Sequence, residues 1–217
     1  MINLYSGTPG SGKSLYATYQ IIDYLKLGKG VIANFPINTA YFGNRKVNFT
    51  YQPNNKITVK YLVDYAKKHH KKGKENQTLL VIDEAGSMFN SRDFKSADRD
   101  LWIRFFSQHR KLGYSVVLIS QYDRMLDRQI RCCLESEFKF RALRNYKIFG
   151  FFLDLLFGGL FVYVEYWYNS NLKIGTHYFT FKKKKAKIYD SFMLFENSGG
   201  GETDIFVSEG SPPKKGS

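Results

Sequence analysis

Residues 7–14 read Gly-Thr-Pro-Gly-Ser-Gly-Lys-Ser and meet the pattern G-x-x-x-x-G-K-[ST] at every fixed position. The short apolar run Ile2 to Ser6 precedes them, and from Ser14 onward Leu15, Tyr19, Ile22 and Leu25 fall at helical spacing. This pattern works only as the turn between a buried strand and a helix. Glycines there let backbone N–H groups curl around an anion where a side chain would block the approach. The helix beginning near Lys13 adds its N-terminal dipole and its free amides. Gly7, Thr8, Pro9, Gly10, Ser11, Gly12, Lys13 and Ser14 are therefore candidate phosphate-binding residues. Lys13 would reach the β- and γ-phosphates of ATP, and Ser14 would ligate Mg²⁺.

A second motif follows at a distance that suits the first. Thr78 to Ile82 is a continuous apolar run, the kind covered on both faces in a parallel sheet, and Asp83-Glu84 stands at its end. Asp83 would hold Mg²⁺, through water or through Ser14, and Glu84 would orient and deprotonate the attacking water. The apolar run Ser115 to Ser120 delivers Gln121 to the tip of a neighbouring strand, where it can hydrogen-bond the γ-phosphate or the lytic water, with Ser120 as the second candidate. Arginines come next. Arg110 closes the helix before that strand and Arg131 lies after it, and either can stabilise transition-state charge across a subunit boundary. The competing reading of each is a helix-end cation or a surface ion pair.

Buried runs recur at residues 2, 31, 78 and 115 with helical patterns between them, which predicts an α/β fold with a parallel sheet flanked by helices. The finer expectations are a hairpin near Gly43-Asn44, a helix on Ile57, Tyr61, Leu62 and Tyr65 running into the basic run Lys67 to Lys74, and an amphipathic helix from Asp100 to Lys111 on Leu101, Trp102, Phe105 and Phe106. A helix is expected over Met125 to Arg131 and a strand over Glu137 to Leu143. The division is a P-loop core at 1–145, a β-rich aromatic extension at 146–196 and a disordered tail at 197–217, rich in Gly, Ser, Glu and Pro.

Composition narrows the function classes. With 217 residues the chain suits one domain plus an appendage. Cys132 and Cys133 are adjacent and are the only cysteines, which rules out a disulfide scaffold and a four-cysteine zinc site and is read as a reduced, buried pair. The histidines show no ligand-like spacing. Lys plus Arg exceeds Asp plus Glu by 33 − 19 = 14. That charge fits an anionic partner, nucleic acid or lipid, or equally a solvated lysine-rich surface. No basic stretch followed by an apolar run opens the chain, so no signal peptide is expected and the chemistry is expected in the cytosol.

The combination of motifs resembles the N-terminal domain of the zonular occludens toxin family, homologues of the filamentous-phage morphogenesis protein. The resemblance rests on Ile2 to Ser14, Ile32-Ala-Asn34, Val81-Ile-Asp-Glu-Ala85, Phe106 to Gly113, Ile119-Ser-Gln121, Arg131 and the segment Lys187-Ile-Tyr-Asp-Ser191, taken as a closing strand. It implies a P-loop NTPase of the RecA- and FtsK-like, additional-strand, catalytic-glutamate type. It also implies a homo-oligomer on the cytoplasmic side of the host inner membrane that acts with phage coat and assembly proteins, and virions that carry single-stranded DNA. Family members usually continue through a transmembrane helix into an outer domain, and the sequence departs from them in having no such helix after residue 195. The toxin activity belongs to that outer segment and is not carried over.

Three functions stay open: an ATPase driving phage assembly and export, a DNA-translocating or packaging ATPase of the same superfamily, and a non-hydrolysing nucleotide-dependent scaffold. One stretch bears on the membrane. Ile148 to Val164 is nearly all apolar and close to the ~20 residues that span a bilayer, yet Asp154 sits mid-span and Gly158-Gly159 would weaken a helix. It reads as a β-hairpin turning at Gly158-Gly159, as a membrane-dipping segment, or as a partner interface. Lys182 to Lys185 just beyond suits an anionic lipid face or a solvated strand end.

Overall fold

The computed structural model describes residues 1–90, 96–142 and 159–189. Its first half runs β1 (Ile2–Ser6), α1 (Lys13–Lys26), β2 (Gly30–Ala33), β3 (Phe49–Tyr51), α2 (Val59–His69) and β4 (Thr78–Ile82). There follow α3 (Ala85–Met88), α4 (Ser96–Gln108), β5 (Tyr114–Ile119), α5 (Arg128–Arg131), β6 (Ser136–Ala142), β7 (Leu160–Trp167), β8 (Leu172–Thr180) and α6 (Lys183–Ala186). The strands form one sheet in the order β3-β2-β4-β5-β1-β6-β7-β8. Pairing is parallel from β3 to β6 and antiparallel from β6 to β8.

Alternation along the strands gives the sheet two apolar faces. Leu4, Leu80, Ile82, Val116 and Leu118 pack with Leu62 of α2 and Trp102, Phe105 and Phe106 of α4. Tyr5, Leu79, Val81, Val117 and Ile119 pack with Ala17, Ile21, Ile22 and Leu25 of α1. Burying each large side chain of this kind contributes about 1.5–3 kcal/mol. The layered packing fixes where the strand tips lie, and the site is built on those tips.

β5 sits between β4 and β1. This is the additional strand, and it brings the end of the Asp83-Glu84 strand and the start of the phosphate loop to either side of Gln121. The fold is a P-loop NTPase with a mixed sheet.

Several local expectations are corrected. No hairpin forms at Gly43-Asn44. The Asn38 side chain accepts from Ala40 N–H at 3.0 Å to start a 3₁₀ turn, Thr39–Phe42, and β3 then pairs parallel to β2, which needs a crossover. Leu101 is 50% exposed, because α4 buries Trp102, Phe105, Phe106 and His109 at i, i+3, i+4 and i+7, and Leu101 lies one residue off that face. The helix expected over Met125 to Arg131 is split, with a 3₁₀ turn at Asp123–Met125 and α5 starting afresh where the Asp127 carboxylate accepts from Gln129 N–H at 2.8 Å. Ile130 and Leu134 take the core positions there, so Cys132 is exposed and Cys133 half-buried, both free.

The hairpin expected to turn at Gly158-Gly159 takes one arm from residues 148–157, which lie outside the described residues. β7 begins at Leu160 and pairs with β6 and with β8. The β7–β8 hairpin turns at 168–171, where Asn171 has φ +52°. Residues 143–158 and the expected tail at 197–217 lie outside the described residues. Among the described residues no helix is long and apolar enough to cross a membrane. Lys187-Ile-Tyr189 is not a strand: Ile188 is buried and Tyr189 makes a single bridge with Ile37.

Candidate active site

The loop between β1 and α1 is held open by glycine geometry. Gly12, at φ +95°, is the N-cap of α1 and brings no capping side chain, so the first-turn amides are not consumed by one. Gly7, at φ +143°, has no room for a side chain, because a Cβ there would lie 2.5 Å from the Phe140 carbonyl oxygen. Gly7 N–H donates to the Gln121 carbonyl at 3.1 Å, tying the start of the loop to the tip of β5. Inside the loop the Lys13 ammonium donates to the carbonyls of Gly7 (2.6 Å) and Thr8 (3.0 Å). Ser11 is buried and its hydroxyl has no hydrogen-bond partner among the described residues. Free first-turn amides, a cation turned inward and an orphaned hydroxyl fit a polyanion.

The tip of β4 supplies the acidic side. Ser14 Oγ donates to Asp83 Oδ2 at 2.9 Å across 69 residues of chain. Asp83 Oδ1 accepts from Glu84 N–H at 2.8 Å. Asn34, which ends β2, clamps the same residue: its Oδ1 accepts from Asp83 N–H at 2.7 Å and its Nδ2 donates to the Asp83 carbonyl at 2.8 Å. Burial raises the Asp83 carboxyl above its usual range, against the Ser14 and Glu84 hydrogen bonds. Burial likewise lowers the Lys13 ammonium, opposed by the Asp83 charge. The hydroxyl and carboxylate oxygens of Ser14 and Asp83 are the hard ligands Mg²⁺ takes. Among the described residues no group of three or more His, Cys, Asp or Glu side chains is placed to hold a metal ion.

Glu84 is exposed and holds a left-handed backbone, φ +49° and ψ +43°, at the start of α3. Such a conformation costs a non-glycine residue about 1–3 kcal/mol and concentrates at functional sites. Gln121 is exposed at the end of β5 and lines a cavity of about 440 Å³ with Gly7, Thr8, Asp123, Glu137 and Lys139. Ser120 is committed elsewhere, donating to the Tyr122 carbonyl at 2.9 Å.

The two arginines part company. Arg110 precedes β5 and is ion-paired with Glu135, which also lies 3.8 Å from the Met1 ammonium. These groups sit where the parallel strands begin, roughly 15 Å of strand away from the loop. The structure therefore does not bring Arg110 to the site of its own chain, because it marks the opposite rim of the sheet. Arg131 lies nearer. It pairs with Asp123 at 3.7 Å, where the Tyr168 hydroxyl also donates at 3.1 Å, and Asp123 lines the Gln121 cavity.

The extension forms a wall that was not anticipated from the sequence. A Cβ on Gly12 would come 2.7 Å from the Phe161 ring and 3.0 Å from Phe179, so β7 and β8 press on the loop. Tyr16 of α1 packs on Tyr163 and Phe179, and the Tyr16 and Tyr163 hydroxyls are 2.9 Å apart. Tyr189 stacks edge-on against Phe35, with its hydroxyl 3.5 Å from Asp83 Oδ2; burial, and then the Asp83 charge, push the phenol up to about 12. No sequence signal joins residues 161–189 to residue 12. Asn34 was within reach, as an amide ending an otherwise apolar strand. The lysine blocks are local features: α2 ends at His69, with Gln77 donating to the Lys71 and Lys74 carbonyls, while Lys185 sits over the Tyr19 ring at 4.8 Å.

Comparison with known proteins agrees with this geometry. The family model of Zonular occludens toxin (Zot) matches residues 1–153, and the chain belongs to that family. The chain is 27% identical over 138 residues to "Gene 1 protein" of Escherichia phage If1, covering 61% of the chain and 39% of that protein. It is 28% identical over 165 residues to "Gene 1 protein" of Enterobacteria phage I2-2, covering 73% and 45%. The matches thus span less than half the length of these relatives. Among solved structures, the N-terminal domain of zonular occludens toxin from Neisseria meningitidis superposes with a TM-score of 0.51 at 17% identity, over 87% of this chain and 98% of that one. B204, the DNA-packaging ATPase from Sulfolobus Turreted Icosahedral Virus, gives 0.55 at 17% identity over 81% and 96%. These likenesses show the fold.

Proposed function

We propose, taking membership of the Zot family as the premise, that the chain is a Mg²⁺-dependent ATPase that drives assembly and export of filamentous phage at the host inner membrane. The observation that carries the reading is the Ser14–Asp83 hydrogen bond of 2.9 Å, with Glu84 next in the chain and Gln121 tied to Gly7 across β5. A scaffold that only senses nucleotide needs Lys13 and Ser14 but has no use for Glu84 and Gln121.

In this mechanism Lys13 exchanges its own loop carbonyls for the β- and γ-phosphates, while the amides from Gly10 to Ser14 bind the phosphate oxygens. Ser14 and Asp83 would hold Mg²⁺, which would supply neutralisation of phosphate charge. Asn34 fixes Asp83 from both sides of its backbone. Glu84 takes the proton of the attacking water, and Gln121 orients that water. Arg131, or Arg110 presented by a neighbouring subunit, supplies the guanidinium for transition-state charge in a homo-oligomer. Residues 1–145 are the motor, 146–196 the extension that faces membrane or partner, and 197–217 a tail. Phage coat and assembly proteins are the partners, with single-stranded phage DNA as the alternative moved substrate.

ATP turnover by the purified chain beside Lys13→Ala and Glu84→Gln tests this. Lys13→Ala is expected to lose nucleotide binding. Glu84→Gln is expected to bind normally and turn over about 10²–10⁴-fold more slowly. Equal turnover by all three proteins would sink the assignment. Salt-dependent binding of single-stranded DNA with DNA-stimulated turnover would identify DNA, rather than coat protein, as the substrate moved.

A further inference from the structure

The cavity on the outer side of the phosphate loop has a volume of about 380 Å³, within the range of pockets that bury small ligands. One end holds Lys13 and Ser14, with Asp83 bonded behind them. Leu15, Phe161, Phe181 and Ala186 wall the rest, with Tyr189. Phosphates on the loop account for the first end only. Gln121, which serves the terminal phosphate, lies on the Gly7 side of the loop. The rest of a bound nucleotide is therefore directed the other way, past Leu15 and into the aromatic end.

Phe181 is built for a ligand there. Its backbone is pinned, with its N–H donating to the Gly159 carbonyl at 2.8 Å and the next N–H, of Lys182, donating to the Tyr19 hydroxyl at 2.8 Å. Gly159, at φ +102°, lets the two chains approach, since a Cβ there would lie 2.9 Å from Phe181 Cβ. Yet the Phe181 side chain is left 44% exposed. Its neighbour Phe161 already has a partner, stacked on Phe179 at 5.2 Å and 19°. A large apolar ring held in one place at the mouth of a cavity, with a face open, is what a flat aromatic ligand needs.

We propose that this end of the cavity seats the base of the nucleotide, stacked on Phe181. The inference rests on the reading of the loop as a nucleotide site and adds the part of the ligand that the loop cannot hold. Recognition there is by stacking. Leu15, Phe161, Phe181 and Ala186 are hydrocarbon, and Tyr189, which also lines the cavity, has its hydroxyl 3.5 Å from Asp83 Oδ2; a hydrocarbon wall rejects an altered base edge far less than a site built to pair with it. Every base has a π-face, so ATP and GTP bind with affinities within about tenfold of each other.

Equilibrium titrations of the full chain with ATP, GTP and inorganic tripolyphosphate, each with Mg²⁺, test the proposal on the wild type, Phe181→Ala and Phe181→Trp. Phe181→Ala is expected to weaken ATP and GTP by roughly 5- to 100-fold, the span of one base–aromatic stack, while tripolyphosphate stays within about twofold. Phe181→Trp is expected to restore ATP affinity, with indole emission quenched by ATP and unchanged by tripolyphosphate. Equal weakening of ATP and tripolyphosphate would show that Phe181 acts through the shape of the loop and would overturn the proposal. So would unchanged ATP affinity in Phe181→Ala. Should Phe181→Ala fail to fold, an unquenched Phe181→Trp decides against it. A wild type that binds ATP no tighter than tripolyphosphate overturns the base site and leaves the phosphate site standing, whereas one that binds neither overturns both.

Discussion

The parallel strands β3, β2, β4, β5 and β1 and the strands β6, β7 and β8 share one sheet, but they contribute to the site by different means. The first group, apart from the half-buried edge strand β3, is mainly aliphatic and buried, and it ends in polar groups that hold one another: Ser14 to Asp83, Asp83 to Asn34, Gly7 to Gln121. The second is aromatic, and along β8 it is largely exposed. It touches the loop with rings, Phe161 and Phe179 on Gly12, and it meets α1 through Tyr163, whose ring packs on Tyr16 and whose hydroxyl lies 2.9 Å from the Tyr16 hydroxyl. Directional bonds set atoms to within tenths of an ångström, as phosphate and metal chemistry requires. Ring packing sets a surface, and a surface suffices for a base.

If the aromatic strands are structural partners of the core, Phe140→Ala should cost the most stability, about 3–5 kcal/mol, since Phe140 is buried between Tyr5, Tyr16 and Tyr163. Urea unfolding measures it, and a loss under 1 kcal/mol would mean that the extension merely leans on α1. Asn34→Ala strikes the other side of the comparison. It should raise the Mg²⁺ concentration for half-maximal turnover by about 10–100-fold with little change in unfolding midpoint, as expected of a group that orients a ligand. Gly12→Ala probes the junction, where left-handed backbone and the Phe161 ring both oppose a methyl group. A cost of about 1–3 kcal/mol is expected, part of it recovered in the double variant with Phe161→Ala. Full additivity would deny the contact.

The smallest effect is one of pH, and it has opposite signs for a histidine and for two tyrosines. His70 in the core is held neutral by burial, its Nδ1–H donating to the Leu112 carbonyl at 2.6 Å and its Nε2 2.7 Å from the Thr78 hydroxyl. Its folded pKa lies below the unfolded value, so its contribution is complete above about pH 6.5 and is lost as the pH falls below that. Tyr168 and Tyr189 in the extension are raised to about 12, so theirs is complete below about pH 10 and is lost as the pH climbs toward 12. Unfolding midpoints followed from pH 5 to 11 should fall at both ends, with His70→Gln flattening the acid side alone and Tyr189→Phe the alkaline side alone.

The same contrast explains what could be read from the sequence. Gly7 to Ser14, Asp83-Glu84 and Gln121 are legible because each is a local pattern, a turn or strand tip whose chemistry is set by residues within a few positions of it. β5 at the centre of the sheet follows from its unbroken apolar run. Phe161, Phe181 and Tyr189 reach the loop only through an antiparallel pairing set some 150 residues away in sequence, which no periodicity encodes. The place of Arg110 illustrates a related limit. Nearness in the chain to a catalytic strand says nothing about which end of that strand a residue occupies, and this one sits at the beginning. The adjacent cysteines misled because they fall at the cap of α5 and in the turn after it, between the core residues Ile130 and Leu134.

The late position of the aromatic wall also bears on synthesis. The residues proposed to hold phosphate and Mg²⁺ lie between Gly7 and Gln121, whereas Phe161, Phe181 and Tyr189 leave the ribosome some 40 to 70 residues later. At about 5–20 residues per second that is an interval of several seconds in which the nascent chain carries the phosphate grip but not the seat for the base. If both proposals hold, nucleotide affinity rises in two steps as the chain is made, the second when β7 and β8 complete the sheet beside α1.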